Sequence, residues 1–121
     1  MREINYQESV DIINSINNKI IAIIITKEGC PACSLFIDNA VLNIEKKYSD
    51  IFEAYKIEHD NIPTAKIFPV LQTPITYFFI KGSDVFPIIR PGVANLDQLE
   101  NEILKFKLIL KGDKFQQVFN K

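Results

Sequence analysis

The sequence predicts an α/β domain built on a mixed sheet, and three observations carry that expectation. The run Ile20-Ile21-Ala22-Ile23-Ile24-Ile25-Thr26 is continuously apolar and β-branched, as in a strand buried on both faces. A long helical pattern and a second strand-like run follow it, which is the order of a βαβ unit. Further on, Ile75 to Ile80 and Val85 to Arg90 flank a short polar turn and precede one more amphipathic helix.

Each element has a local reason. Arg2 to Asn5 is read as a short edge strand. Ser9 to Ile16 places apolar residues at 10, 12, 13 and 16, a spacing that suits a helix covering a sheet face, and Asn17-Asn18 ends it. Lys19 to Thr26 is the central strand, and Lys27-Glu28-Gly29 is a tight loop. A helix is expected from about Pro31 to Tyr48, with Leu35, Phe36, Ala40, Val41, Ile44 and Tyr48 facing inward. Lys46 and Lys47 close it, complementing the negative end of the helix dipole.

Ile51 to Glu58 is the next strand, parallel to the first through a right-handed crossover. Asn61 to Leu71 is mixed, with Pro63 opening a helical turn and Pro69 stopping it. Lys81-Gly82-Ser83-Asp84 is a hairpin turn, Val85 to Arg90 is its return strand, and Pro91-Gly92 breaks that strand. Asn95 caps a final helix whose stripe is Leu96, Leu99, Ile103, Phe106 and Leu110, with Gly112 as its stop. Asp113 to Lys121 adds a short amphipathic piece.

With 121 residues and no linker-like stretch, the chain is read as a single domain over 1–121, with its core at about 2–110 and a C-terminal extension at 111–121. A net charge of −1 and the lack of any run of like charges argue against nucleic acid. The longest apolar run is about a third of the roughly 20 residues that a membrane-spanning helix needs. Residues Met1 to Glu8 include acids and no apolar stretch of the signal-peptide kind, so a cytoplasmic protein is expected.

The chemistry concentrates at Cys30-Pro31-Ala32-Cys33, which holds both cysteines of the chain. Two thiols three positions apart at a helix start can close a disulfide with each other and reopen it. Cys30 falls at the N-cap, where unpaired backbone N–H groups and the helix dipole favour the thiolate. Its pKa is expected to drop from about 8.5 into the range of roughly 3.5–7.5. Pro31 suits the first helical position, where its missing N–H costs nothing. Cys33, one turn deeper and more shielded, is placed to break a mixed disulfide with substrate. The competing readings are a metal half-site and a pair of inert buried thiols. A mononuclear structural zinc site needs four ligands, and the chain offers two Cys and one distant His, so no metal is expected. His59 in Glu58-His59-Asp60-Asn61 is read as a solvated loop histidine. Glu28 is close enough in sequence to oppose the thiolate if it turns inward. The phenylalanines Phe36, Phe52, Phe68, Phe78 and Phe79 are read as packing.

The element order, with CXXC at the mouth of the first crossover helix, resembles the thioredoxin superfamily over roughly residues 2 to 110. Besides Cys30-Pro31-Ala32-Cys33, the resemblance rests on Thr73-Pro74 before Ile75 to Ile80, and on Gly82 and Gly92. It implies a thioredoxin fold, three-layer α/β/α with a central mixed sheet of four to five strands. It also implies a cis Pro74 that sets the Thr73 backbone beside the disulfide, where both would bind substrate, and a supporting lysine retained as Lys56. The chain departs from the thioredoxin pattern in several places. Gly29 stands where Trp is usual, and the chain has no Trp at all. Proline is the first inner residue, as in glutaredoxins. Ile24 occupies the position of a buried aspartate that serves the second cysteine.

The implied activity is protein-disulfide reduction by a thiol–disulfide oxidoreductase. Protein disulfides are its substrates, a reductase or a small thiol is its electron donor, and it works as a monomer with no bound cofactor. Family potentials spread from about −270 to −120 mV, so residue types alone leave the direction open. Two other readings stay open here: a binding module or redox sensor without turnover, and a glutaredoxin-like protein using glutathione.

Overall fold

The computed structural model describes residues 1–15, 18–59, 68–80 and 87–112. Within them the chain runs β1 (Arg2–Glu3), α1 (Tyr6–Asn14), β2 (Ile20–Thr26) and α2 (Pro31–Phe36), then a π-helical turn (Ile37–Val41) leading into α3 (Leu42–Lys47). β3 (Phe52–Glu58), β4 (Ile75–Ile80), β5 (Ile88–Pro91) and α4 (Leu96–Leu110) complete it. The helical turn expected after Pro63, the hairpin turn at 81–84 and the amphipathic piece at 113–121 lie outside the described residues.

The strands form one five-stranded sheet in the order β1-β3-β2-β4-β5. β1 and β2 both run parallel to β3, while β4 runs antiparallel to β2 and β5 antiparallel to β4. β2 is central, and all seven of its residues are buried. Its even-numbered side chains Ile20, Ala22 and Ile24 join Phe36, Val41, Ile44, Phe78, Ile103 and Phe106 on one face. Ile21, Ile23 and Ile25 pack with Ile57, Phe68, Tyr77 and Phe79 on the other, where Ile12 and Ile13 of α1 cover them. The period-two alternation of a strand explains this division. The result is the expected three-layer α/β/α arrangement with a mixed sheet.

Four local expectations are corrected. α1 begins at Tyr6 rather than Ser9, because Asn5 and Glu8 form a reciprocal capping box: the Glu8 amide donates to Asn5 Oδ1 at 2.8 Å and the Asn5 amide to Glu8 Oε1 at 3.2 Å. The long helix is interrupted by the π turn, where Ala40 and Val41 are both buried, and Leu35 faces solvent at 55% exposure. Cys33 and Phe36 set the inward direction, and Leu35 lies about 200° around the helix from Cys33. Pro91 does not break β5. It is the last residue of that strand, opposite Ile75, on a sheet edge where its missing N–H leaves no bond unmade. On α4, Leu96 is exposed and Ile109 takes its place in the buried stripe with Leu99, Ile103 and Phe106.

α4 is held at both ends. Asn95 and Gln98 form a second capping box, and the Phe106 ring lies 4.8 Å from that of Phe78 on β4. Truncation of Phe106 to Ala should therefore cost about 3–5 kcal/mol of unfolding free energy in a denaturant titration. Lys19 Nζ, just before β2, and Tyr55 Oη, two residues along β3, each lie 2.7 Å from a Glu53 oxygen, and these bonds hold the Glu53 carboxyl below its ordinary pKa. The lowered folded-state pKa contributes stability above the unfolded carboxylate pKa, lost as pH falls through the folded value. In Glu53→Gln the acid side of the stability–pH curve should flatten by under about 1 kcal/mol, since the pair is partly solvated.

Candidate active site

β2 delivers the chain to a sharp loop in which Gly29 has φ +73°, a left-handed conformation that glycine adopts at no steric cost. Cys30 follows as the N-cap of α2 with Pro31 at the first helical position. The Cys33 backbone N–H donates to Cys30 Sγ at 3.1 Å, so the sulfur takes one of the amides that a helix start leaves without an internal partner. Cys30 and Cys33 are joined in a disulfide, with Cα atoms 5.3 Å apart. Cys30 is half-buried and Cys33 is 4% exposed.

The second half of the site comes from 43 positions further along the sequence. Because β4 runs antiparallel to β2 with Ile75 opposite Ile25, the residues just before β4 meet the loop just after β2. Thr73 O lies 3.8 Å from Cys30 Sγ, and the Thr73 hydroxyl lies 3.6 Å from the same sulfur. The Thr73–Pro74 peptide bond is cis and Pro74 is buried. The Gly92 N–H donates to Pro74 O at 2.8 Å and ties the end of β5 to this corner.

Beneath the disulfide is a cleft of about 380 Å³. Cys30, Cys33 and Pro31 line it from the helix, Thr26 and Lys27 from the end of β2, and Lys56 and Glu58 from β3. Lys56 therefore shares a cleft with both cysteines, and its ammonium lies 3.9 Å from a Glu3 carboxylate oxygen of β1. Ile24, at the position of the family's aspartate, is 1% exposed inside the apolar core. Glu28 is exposed and does not line the cleft. Among the described residues no group of three or more His, Cys, Asp or Glu is placed to hold a metal ion, and no helix is long and apolar enough to cross a membrane.

A helix-start disulfide facing a cis proline, on a five-stranded α/β/α frame, decides the fold. It is the thioredoxin fold. A chloroplastic thioredoxin z superposes with a TM-score of 0.81 at 13% identity, over 89% of this chain and 95% of that one. A thioredoxin from Nicotiana alata gives 0.70 at 26% identity, over 86% of this chain and 90% of that one. A thioredoxin from Fasciola hepatica gives 0.72 at 22% identity, over 88% of this chain and all of that one. No protein-family model and no curated protein sequence matches the chain. Fold and motif are thus thioredoxin-like in a sequence that has diverged far from these thioredoxins.

Cys30, Pro31, Cys33, Lys56, Thr73 and Pro74, the candidates that the sequence offers, gather around one corner. Thr26 and Glu58, which are not among those candidates, also line the cleft. Their signal was present: Glu58 is two positions after Lys56 on the same strand face, and Thr26 is its partner across β2 and β3. His59 is corrected. It is half-buried rather than solvated, its backbone N–H donates to Thr26 O at 2.7 Å, and its Nδ1 is buried with no hydrogen-bond partner among the described residues. It lines a smaller cleft of about 180 Å³ with Lys27, Val70, Leu71, Gln72 and Thr73. Gly92 has φ +83°, and a Cβ there would stand 3.2 Å from Gln72 Nε2. Gly92→Ala should lower stability by about 1–2 kcal/mol through the left-handed backbone alone, measured by thermal or denaturant unfolding.

Proposed function

We propose that this chain is a thiol–disulfide oxidoreductase acting on protein disulfides. One observation carries the reading: Cys30 Sγ sits at a helix start, 3.1 Å from an amide N–H, on the same corner as Thr73 and cis Pro74. The thioredoxin fold and the CXXC pair support a thioredoxin-like redox role. In the reduced protein the Cys30 thiolate attacks one sulfur of a substrate disulfide. A Cys30–substrate disulfide forms, and the other substrate sulfur leaves as thiolate. Cys33, as thiolate, then attacks the Cys30 sulfur, closes the Cys30–Cys33 disulfide and releases the second substrate thiolate. Two electrons pass from the dithiol to the substrate, and a reductase or small thiol restores them.

An extended substrate segment pairs with the Thr73 backbone in the manner of an added strand. Leu71, 97% exposed and two residues before Thr73, supplies an apolar contact for a protein substrate. In a reducing compartment, which this reading takes to be the cytoplasm, the reaction runs as a reduction, and the chain acts as a monomer. Ile24 favours a second reading, a binding module whose disulfide only reports redox state, because the core offers no acid at that position.

Turnover separates the two. In an insulin-disulfide assay with a thiol donor, the parent protein should cycle and Cys30→Ser should abolish activity. Cys33→Ser should accumulate a mixed disulfide. Binding of a peptide that survives loss of both thiols, with no reduction by the parent, would establish the binding module instead.

A further inference from the structure

Cys33 has a proton problem that its surroundings make specific. It is 4% exposed, and Ile24, the position at which the thioredoxin resemblance implies an acid, is a hydrocarbon inside the apolar core. To attack the Cys30 sulfur it must first lose its proton, and a buried thiol holds that proton more tightly than an exposed one. The side of Cys33 that is not packed opens on the 380 Å³ cleft. Among the lining residues Glu58 carries the one carboxylate. It is solvent-exposed at the end of β3, opposite Thr26, which lines the same cleft. The other charges there are Lys27 and Lys56, with Glu3 paired to Lys56 from β1. The helix side contributes Pro31, Ser34 and Ile37, none of them charged.

We propose that Glu58 is the proton acceptor for Cys33 in the resolving step, acting through water in the cleft. This rests on the thiol–disulfide reading above. The step balances simply. The Cys33 thiol gives its proton through water to the Glu58 carboxylate, leaving a thiolate and a carboxylic acid. The thiolate attacks Cys30, the substrate leaves as thiolate, and Glu58 returns the proton to bulk solvent. In the reverse direction Glu58 protonates Cys33 as the disulfide opens. Lys27 and Lys56 favour the two anions in turn. The acid thus sits at the exposed rim of β3, in place of the buried one that Ile24 excludes. Glu58 acts through water, so it is a positioning residue for the proton rather than a group touching substrate.

The test is a single-turnover reaction of the reduced protein with a peptide disulfide, acid-quenched and read by mass spectrometry for the Cys30–peptide adduct and the released peptide. In Glu58→Gln and Glu58→Ala, release at neutral pH should slow about a hundredfold, at the lower end of what general-base assistance supplies, and the adduct should build up. Glu58→Asp should stay near the parent. Added acetate should recover release in the Ala variant, and the variants should converge as pH rises past the raised pKa of the buried Cys33 thiol, where hydroxide removes its proton without help. Alkylation of Cys30 by iodoacetamide should be unchanged throughout. Release that is unchanged or faster in Glu58→Gln, with normal Cys30 alkylation, overturns the assignment to Glu58 and leaves the oxidoreductase standing. A Cys30 that alkylates no faster than free cysteine in the parent overturns the oxidoreductase reading, and this proposal with it.

Discussion

The pairing of β2 with its two neighbours is the constraint on which the site depends. Ile25 lies opposite Ile75 across the antiparallel ladder, and Thr26 lies opposite Glu58 across the parallel one. These registers bring the end of β2, the end of β3 and the beginning of β4 to one edge of the sheet. The candidate-site residues gather there. A slip of one residue in either ladder would exchange the two faces of a strand. Because β2 is buried on both faces, such a slip would leave the packing of a run of isoleucines nearly as greasy as before, but in the β2–β3 ladder it would turn Lys56 and Glu58 away from the cleft.

Burial of β2 also dictates where charge is allowed. A strand covered on both faces has no place for an unpaired ionised group, which loses its hydration without compensation. The polar groups of the site consequently come from strand ends and from a helix start, where water and unpaired amides are at hand. Cys30 receives the Cys33 amide, Thr73 offers a carbonyl and a hydroxyl from across the gap, and Lys56 and Glu58 reach in from the rim of β3. The helix that presents the cysteines is anchored by Phe36 and, beyond the π turn, by Ile44, both inside the core. The reactive sulfur is thus carried by a rigid element while its surroundings remain open to solvent.

Much of this was readable from residue types. The strand runs, the capping Asn95 and the CXXC pair are local signals, since each rests on neighbours within a few positions. The capping box at Asn5 is equally local, but the apolar period that marks the helix begins only at Val10. The exposure of Leu35 and Leu96 and the place of Pro91 inside β5 were not readable in the same way. Helical periodicity marks several residues as candidates for the inner face, and only the neighbours supplied by the sheet decide which of them are covered. Likewise a proline ends a strand or completes one according to whether anything lies beside it to pair with.

By itself the sequence determined that a buried, β-branched strand would feed a helix opening on two cysteines, because strand burial and helix capping are set by short-range chemistry. The tertiary structure alone decided that Thr73 lies within 3.6 Å of a sulfur 43 positions away in the chain, and that Glu58 shares its cleft. Those distances follow from strand order and register, and these emerge only when the whole sheet chooses its neighbours so as to bury β2 on both sides.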